Sequence, residues 1–161
     1  MQIFNTMTRQ KEEFIPQKPG EYRIYVCGPT VYNFVHIGNA RPVVVFDTLR
    51  RYLEHRGNKV LFVSNITDID DKLIQKGREQ GCSMKEVAER FEAEFLTDSR
   101  GLNALEPTVR PRATEHIEEI LDIVKDIIDK GYGYVSTWPA PLTWNAIQAR
   151  SVRTICASSS I

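Results

Sequence analysis

Residues 22–41, YRIYVCGPTVYNFVHIGNAR, constrain the fold of this chain more than any other stretch. Tyr22, Ile24, Tyr25 and Val26 are aromatic or β-branched and lead into Cys27, so 22–27 reads as a buried strand. Gly28 and Pro29 stop it. A short loop, 30–34, precedes His36-Ile37-Gly38-Asn39, and a helix is expected from Ala40 to about His55. Strand, glycine-containing loop and helix in that order place backbone N–H groups at a helix N-terminus where an anion can be received. Gly38 has no Cβ, so a flat base or a phosphate could approach its backbone closely. His36 and Asn39 lie three apart and could address the same ligand from the first turn.

Asn39 reads as the N-cap of this helix, with Pro42 inside its first turn, where a missing N–H costs nothing. Val45, Phe46, Leu49, Tyr52 and Leu53 form its apolar face, and Gly57 fits just past its end. Residues 59–64, KVLFVS, then read as a second buried strand. The resulting βαβ unit implies a parallel sheet with a right-handed crossover. Ligands of such sheets bind outside the carboxyl ends of the strands, which is where 27–34 and 65–71 fall.

Four ordered segments carry a family resemblance. They are Phe4-Asn5-Thr6 with Thr8-Arg9-Gln10-Lys11-Glu12, Tyr25-Val26-Cys27-Gly28-Pro29-Thr30-Val31-Tyr32, His36-Ile37-Gly38-Asn39, and Asn65-Ile66-Thr67-Asp68-Ile69-Asp70-Asp71-Lys72. The third is similar to the HIGH signature of class I aminoacyl-tRNA synthetases, with Asn in the fourth place. Together they resemble the N-terminal part of cysteinyl-tRNA synthetases over residues 1–135 or so. The resemblance implies an α/β, Rossmann-like parallel sheet with flanking helices, incomplete in this chain. It implies ATP-dependent activation of L-cysteine and its transfer to tRNA(Cys), with Mg²⁺ accompanying ATP.

That chemistry sets a carboxylate in line with the α-phosphate and expels pyrophosphate, so it asks for positioning and charge stabilisation rather than a protein nucleophile. His36 and Asn39 are the catalytic candidates, and Thr30, His36, Gly38 and Asn39 would bind ATP. Asn39 cannot titrate but keeps an amide donor. Gly28 and Thr67 would face the amino acid. Outside this context, His36 would read as an ordinary surface or core histidine. Tyr32 and Asn33 divide evenly between pocket lining and loop packing.

By resemblance Cys27 is one ligand of a Zn²⁺ that takes the substrate thiolate. Zinc favours soft sulfur, which separates cysteine from serine. A lone cysteine is more commonly a buried structural residue. The family's other ligands, a second Cys, a His and a Glu, lie past the point where the resemblance stops. Cys82, Cys156, His55 and His116 do not replace them, so the chain alone is expected to hold zinc weakly or not at all. Nor does it show the family's second, KMSKS-like ATP loop or its anticodon-binding helices. A truncated, inactive or partial form of the enzyme is the expectation. The alternatives are a non-catalytic nucleotide-binding or assembly module, and a cysteine ligase acting on a sugar amine.

Composition sets the remaining bounds. With 42% hydrophobic and 26% charged residues, the chain suits a soluble globular domain. Lys plus Arg equals Asp plus Glu, 21 each, so any tRNA contact must be local. No apolar run approaches the roughly 20 residues of a membrane span, and residues 1–15 lack the apolar core of a signal peptide. Three widely spaced cysteines fit a reducing, cytoplasmic setting, and a monomer is expected.

Elsewhere the readings are local. Ile3-Phe4 and Phe14-Ile15 suggest short strands, with a charged turn over 9–13 between them. Asp70 is expected to reach back in a variant capping box from Thr67, opening a helix over 69–76 that ends near Gly77 or Gly81. Ser83 and Glu86 form a capping box for a helix over 84–99, with Met84, Val87, Ala88, Phe91 and Phe95 as its buried stripe. Residues 103–111 hold two prolines and read as extended or looped. A further helix over 114–130 carries Ile117, Ile120, Leu121, Val124, Ile127 and Ile128 at helical spacing. Both of these helices read as packing elements. Residues 136–161 have no acidic residue and no sustained period, and form an atypical tail, disordered or altered in reading frame.

Overall fold

The computed structural model describes residues 1–133. The reading of 136–161 as an atypical tail lies outside the described residues. Residues 1–113 belong to one compact unit, and residues 114–133 belong to a second.

In the first unit, β1 (Gln2–Asn5) and β2 (Gln10–Glu13) form an antiparallel hairpin, with Gln2 opposite Glu13 and Asn5 opposite Gln10. The expected turn over 9–13 is therefore a strand, and the expected strand at Phe14-Ile15 lies just past its end. The reversal is made at residues 6–9, where Arg9 adopts φ 56° and its N–H donates to the Asn5 carbonyl at 2.8 Å. A charged strand gives no apolar alternation to read, so composition points to a turn instead.

β3 (Glu21–Val26), α1 (Ile37–His55) and β4 (Lys59–Ser64) form the βαβ unit, with β3 and β4 parallel and in register from Glu21 opposite Lys59 to Val26 opposite Ser64. Residues 108–112 extend this sheet irregularly. Val63 and Val109 make an isolated parallel bridge, as do Ile66 and Arg112. The Ser64 N–H donates to the Val109 carbonyl at 3.2 Å, and the Ile66 N–H to the Pro111 carbonyl at 2.8 Å. Prolines at 107 and 111 have no N–H to give, which keeps this segment from a regular ladder.

Ile24, Leu53, Val60 and Phe62 bury one face of the unit, with Phe46 and Leu49 packed against them. β3 is less buried than expected: only Ile24 is fully covered, and Tyr25 is 59% exposed. Strand alternation sends Tyr25 to the opposite face, where its hydroxyl donates to Asn65 Oδ1 at 3.0 Å. Val45 and Tyr52 of α1 are likewise exposed rather than on its inner face.

α2 (Asp71–Gln80) and α3 (Met84–Gly101) pack together around a second cluster, Val31, Ile66, Leu73, Val87, Ala88, Phe91 and Phe95. The stripe expected on α3 is the one observed, with Met84 at its margin. Asp70 is itself the N-cap of α2, accepting from the Lys72 N–H at 2.9 Å, and does not reach back to Thr67. α2 runs through Gly77 and stops at Gly81, which takes the left-handed φ of 67°. Gly77 is glycine for another reason: a Cβ there would meet the Cys82 carbonyl oxygen at 2.7 Å.

In the second unit, α4 (Ile117–Asp129) follows a short 3₁₀ turn, Ala113–His116, that begins at the end of the first unit. Its apolar spacing is as expected. None of its side chains is fully buried by the described residues.

Candidate active-site cleft

α1 begins earlier than the sequence suggests, and this defines the site. His36 is the N-cap, extended at φ −118° and ψ 175°. Its Nδ1 accepts the Gly38 N–H at 3.0 Å, and the Asn39 Oδ1 accepts the His36 N–H at 3.2 Å. This reciprocal pair is a capping box. Asn39 is therefore the third helical residue rather than the cap. Histidine is seldom read as a cap because Ser, Thr, Asp and Asn dominate that position.

Two chemical consequences follow. A neutral imidazole that accepts at Nδ1 carries its proton on Nε2, so the exposed end of His36 is a donor. The Asn39 carboxamide has its oxygen engaged, which leaves Nδ2 to donate outward. Pro42 lies in the second turn, so the Gly38 carbonyl lacks its i→i−4 helical partner.

A cleft of about 250 Å³ opens beside this N-terminus. Gly38, Asn39, Pro42 and Asp47 of α1 form one wall, and Cys27, Gly28 and Ser64 close the strand end. Phe95 and Ser99 of α3 form part of the far wall together with Leu105, Glu106 and Arg110. The Ser99 hydroxyl is buried with no hydrogen-bond partner among the described residues. Arg110 pairs with Glu106 at 2.7 Å. Burial pushes its guanidinium below the ordinary value while Glu106 opposes the shift, and at any working pH it stays cationic. Asp47 accepts from the Leu105 N–H at 2.9 Å and binds Arg51 at 2.7 Å, which fixes the wall of α1 to the 103–106 turn.

Of the residues expected from sequence, Cys27, Gly28, Gly38 and Asn39 share this cleft. Thr30 and Thr67 do not line it. They pair with each other as a parallel bridge, the Thr67 N–H donating to the Pro29 carbonyl at 3.0 Å and the Val31 N–H to the Thr67 carbonyl at 3.2 Å. His36 caps α1 beside the cleft rather than lining it. Tyr32 packs against the α2–α3 core with Lys72 Nζ 5.1 Å from its ring centroid, and Asn33 Oδ1 accepts the following N–H at 3.0 Å; both act in the loop.

Cys27 is exposed and not in a disulfide. Among the described residues, no group of three or more His, Cys, Asp or Glu side chains is placed to hold a metal ion. Cys27 alone does not make a zinc site. No described helix is long and apolar enough to cross a membrane.

The contributions of Ser99 and Arg110 to the cleft are not legible in sequence, because they come from a helix read as packing and a segment read as loop; Asp47 lies on the site's own helix but well past its first turn. Asn65 is different. It lies at the end of β4, where a short amide side chain can satisfy the open backbone groups of a neighbouring strand end, and that position is a usable signal.

A strand end meeting a capped helix N-terminus in a parallel βαβ unit is the architecture of Rossmann-like α/β domains, whose ligands bind at that crevice. The family model for the class I (C) tRNA synthetase catalytic domain matches residues 13–147. The chain is 57% identical over 134 residues to the cysteine--tRNA ligase of Lachnoclostridium phytofermentans, an alignment that covers 83% of this chain and 28% of that protein. The chain belongs to the cysteine-type class I aminoacyl-tRNA synthetase catalytic-domain family. It spans a little over a quarter of the length of the relative it matches.

Proposed function

We propose that this chain is the N-terminal part of a class I catalytic domain that seats ATP and L-cysteine for activation ahead of transfer to tRNA(Cys). The observation that carries the reading is the juxtaposition of Cys27 and Gly28 with the capped start of α1 at Gly38 and Asn39 on one cleft. The Nε2 proton of His36 and the Nδ2 protons of Asn39 would donate to phosphate oxygens. The α1 dipole favours anions there by about 0.3–1 kcal/mol. Gly38, whose missing Cβ makes room for the His36 imidazole (a Cβ would fall 2.6 Å from Cε1), would lie against the base or sugar. Thr30 would complete the nucleotide contacts from the loop, and Gly28 and Thr67 would meet the amino acid.

In the reaction, a cysteine carboxylate oxygen bonds to the α-phosphorus of ATP, and the bond to the bridging oxygen breaks to release pyrophosphate with Mg²⁺. The groups named here hold reactants and spread charge; none becomes covalently attached. Cys27 fits the reading as one thiolate for a zinc ion whose remaining ligands the described residues do not supply. A cytoplasmic setting and a monomer accompany this reading. Residues 1–135 would constitute the domain part, and 136–161 an atypical segment following it.

A second reading is that the chain binds nucleotide without turning it over; among the described residues no metal-ligating cluster joins Cys27. Cysteine-dependent ATP–pyrophosphate exchange separates the two. Exchange above a His36→Ala control supports activation. ATP protection of the Gly38 amide without exchange supports binding only. Neither signal would reject both.

A further inference from the structure

Asn65 joins three parts of the site that the sequence treats separately. Its Oδ1 accepts the Gly28 backbone N–H at 2.8 Å and the Tyr25 hydroxyl at 3.0 Å. Its Nδ2 donates to Thr67 Oγ1 at 3.2 Å. The orientation of the amide is fixed by chemistry: a backbone N–H can only donate, so the atom facing Gly28 must be the oxygen. The NH₂ group is then forced toward Thr67. A threonine oxygen that accepts there keeps its own proton, and among the described residues no acceptor takes it.

We infer that Asn65 is a positioning residue for the amino-acid end of the site, holding the Gly28 amide in place and turning the Thr67 hydroxyl into a hydrogen-bond donor toward an acceptor atom of the substrate. This rests on the reading of Thr67 as facing the amino acid. It adds a direction to that contact. The ligand atom opposite Thr67 must be a carboxylate or carbonyl oxygen or a thiolate sulfur, not an ammonium. Asn65→Asp tests the direction, because one carboxylate oxygen can still accept from Gly28 and Tyr25 while the other accepts the Thr67 proton and reverses the hydroxyl.

The experiment has two arms on the full chain. In the ligand-free arm, NMR follows the Asn65 side-chain amide protons. One is expected to be shifted downfield and slow to exchange, and Thr67→Val should release it while the Gly28 amide stays protected. In the second arm, calorimetry measures a non-hydrolysable cysteinyl-adenylate analogue of the acyl-sulfamate type, whose ammonium and sulfamate charges cancel. Thr67→Val should weaken it about five- to tenfold, the worth of one hydrogen bond. Asn65→Asp should weaken it at least as much alone and by less than about twofold in the Thr67→Val background. Tyr25→Phe, which removes one of two donors to Oδ1, should leave affinity within about twofold. Losses that simply add in the double variant, or an Asn65 amide proton unmoved by Thr67→Val, overturn the inference. Failure of the unsubstituted chain to bind the analogue counts against the proposed function instead. If Asn65→Asp does not fold, the Thr67→Val spectra and the Tyr25→Phe affinity still decide.

Discussion

The α-carbon of Gly28 lies so close to the Asn65 carbonyl that a Cβ built on it would fall 1.5 Å from the oxygen and 2.7 Å from its carbon. Both atoms belong to backbone, so neither can swing aside. The contact sits where the chain leaves β3 and β4, two residues past Val26 and one past Ser64, the last paired positions. Gly28→Ala must therefore push the strand ends apart or break the 2.8 Å bond from Gly28 to Asn65. A loss of about 3 kcal/mol or more is expected, at the upper end of overpacking costs. Thermal unfolding checks it: a variant within about 0.5 kcal/mol of the unsubstituted chain, small enough for a surface change, would show that the strand ends separate freely.

The role of His36 divides into capping and ligand contact, and two substitutions separate them. Asparagine is a good N-cap with a side-chain oxygen for the Gly38 N–H. His36→Asn should keep stability within about 0.5 kcal/mol, whereas His36→Ala should lose about 1 kcal/mol with the cap. Both remove the Nε2 donor, so both should weaken ATP binding to a similar extent. Equilibrium unfolding and ATP titration on the same samples read the two effects. ATP affinity that tracks stability across the pair would mean that the imidazole serves the helix alone.

The opening of α3 predicts an acid response. Ser83 donates its backbone N–H to Glu86 Oε2 at 2.8 Å and its hydroxyl at 2.7 Å, which holds the Glu86 carboxyl below the usual range. A carboxyl with a lowered folded-state value stabilises the fold above its unfolded value, about 4.3, and that contribution is lost as pH falls through the lower, folded value. Glu12, held down by Thr8 and Asn5, and Glu21, held down first by Arg23, act in the same direction. Melting temperature should therefore fall with pH only below about 4.3. Glu86→Gln, which keeps an acceptor without a charge, should make that fall shallower. An unchanged slope would place the acid sensitivity elsewhere.

The parts of this fold legible in sequence are those in which local chemistry and burial agree. β4 matches its expected bounds, because apolar residues run through a strand buried in the unit. The Ser83–Glu86 box and the α3 stripe are visible for the same reason: capping chemistry and helical period point to one register. The misreadings occur where tertiary contacts override a local preference. β2 is charged, so nothing in its pattern competes with a turn. Asn39 looks like the better cap than His36, yet the chain enters the helix three residues earlier, where the imidazole and the carboxamide can satisfy each other. Of the site, the HIGH-like segment and Cys27–Gly28 are readable because strand and helix ends are marked by glycine and proline. Arg110 and Ser99 are not, nor outside the cleft is the Glu92–Arg112 ion pair, because each depends on elements distant in sequence.

That last pair carries a prediction with a built-in asymmetry. Arg112 binds Glu92 through two nitrogens, Nη2 to Oε1 at 2.8 Å and Nε to Oε2 at 3.0 Å. The Glu92 side chain is 9% exposed and that of Arg112 46%. The same Arg112 holds the end of the irregular strand, where Ile66 bridges to it and donates to the Pro111 carbonyl, one residue from both Asn65 and Thr67. Removing Arg112 strands a carboxylate that water can scarcely reach, while removing Glu92 leaves a guanidinium that is half in solvent already. Arg112→Met should therefore cost about 3 kcal/mol, and Glu92→Met about 1 kcal/mol. The double variant, apolar on both sides, should recover most of the larger loss, because replacing both partners removes the stranded charge. Denaturant unfolding of the three variants measures the cycle. Equal single losses would mean that the pair is solvated as a unit, and an additive double variant would mean that the two side chains stabilise the fold through other contacts.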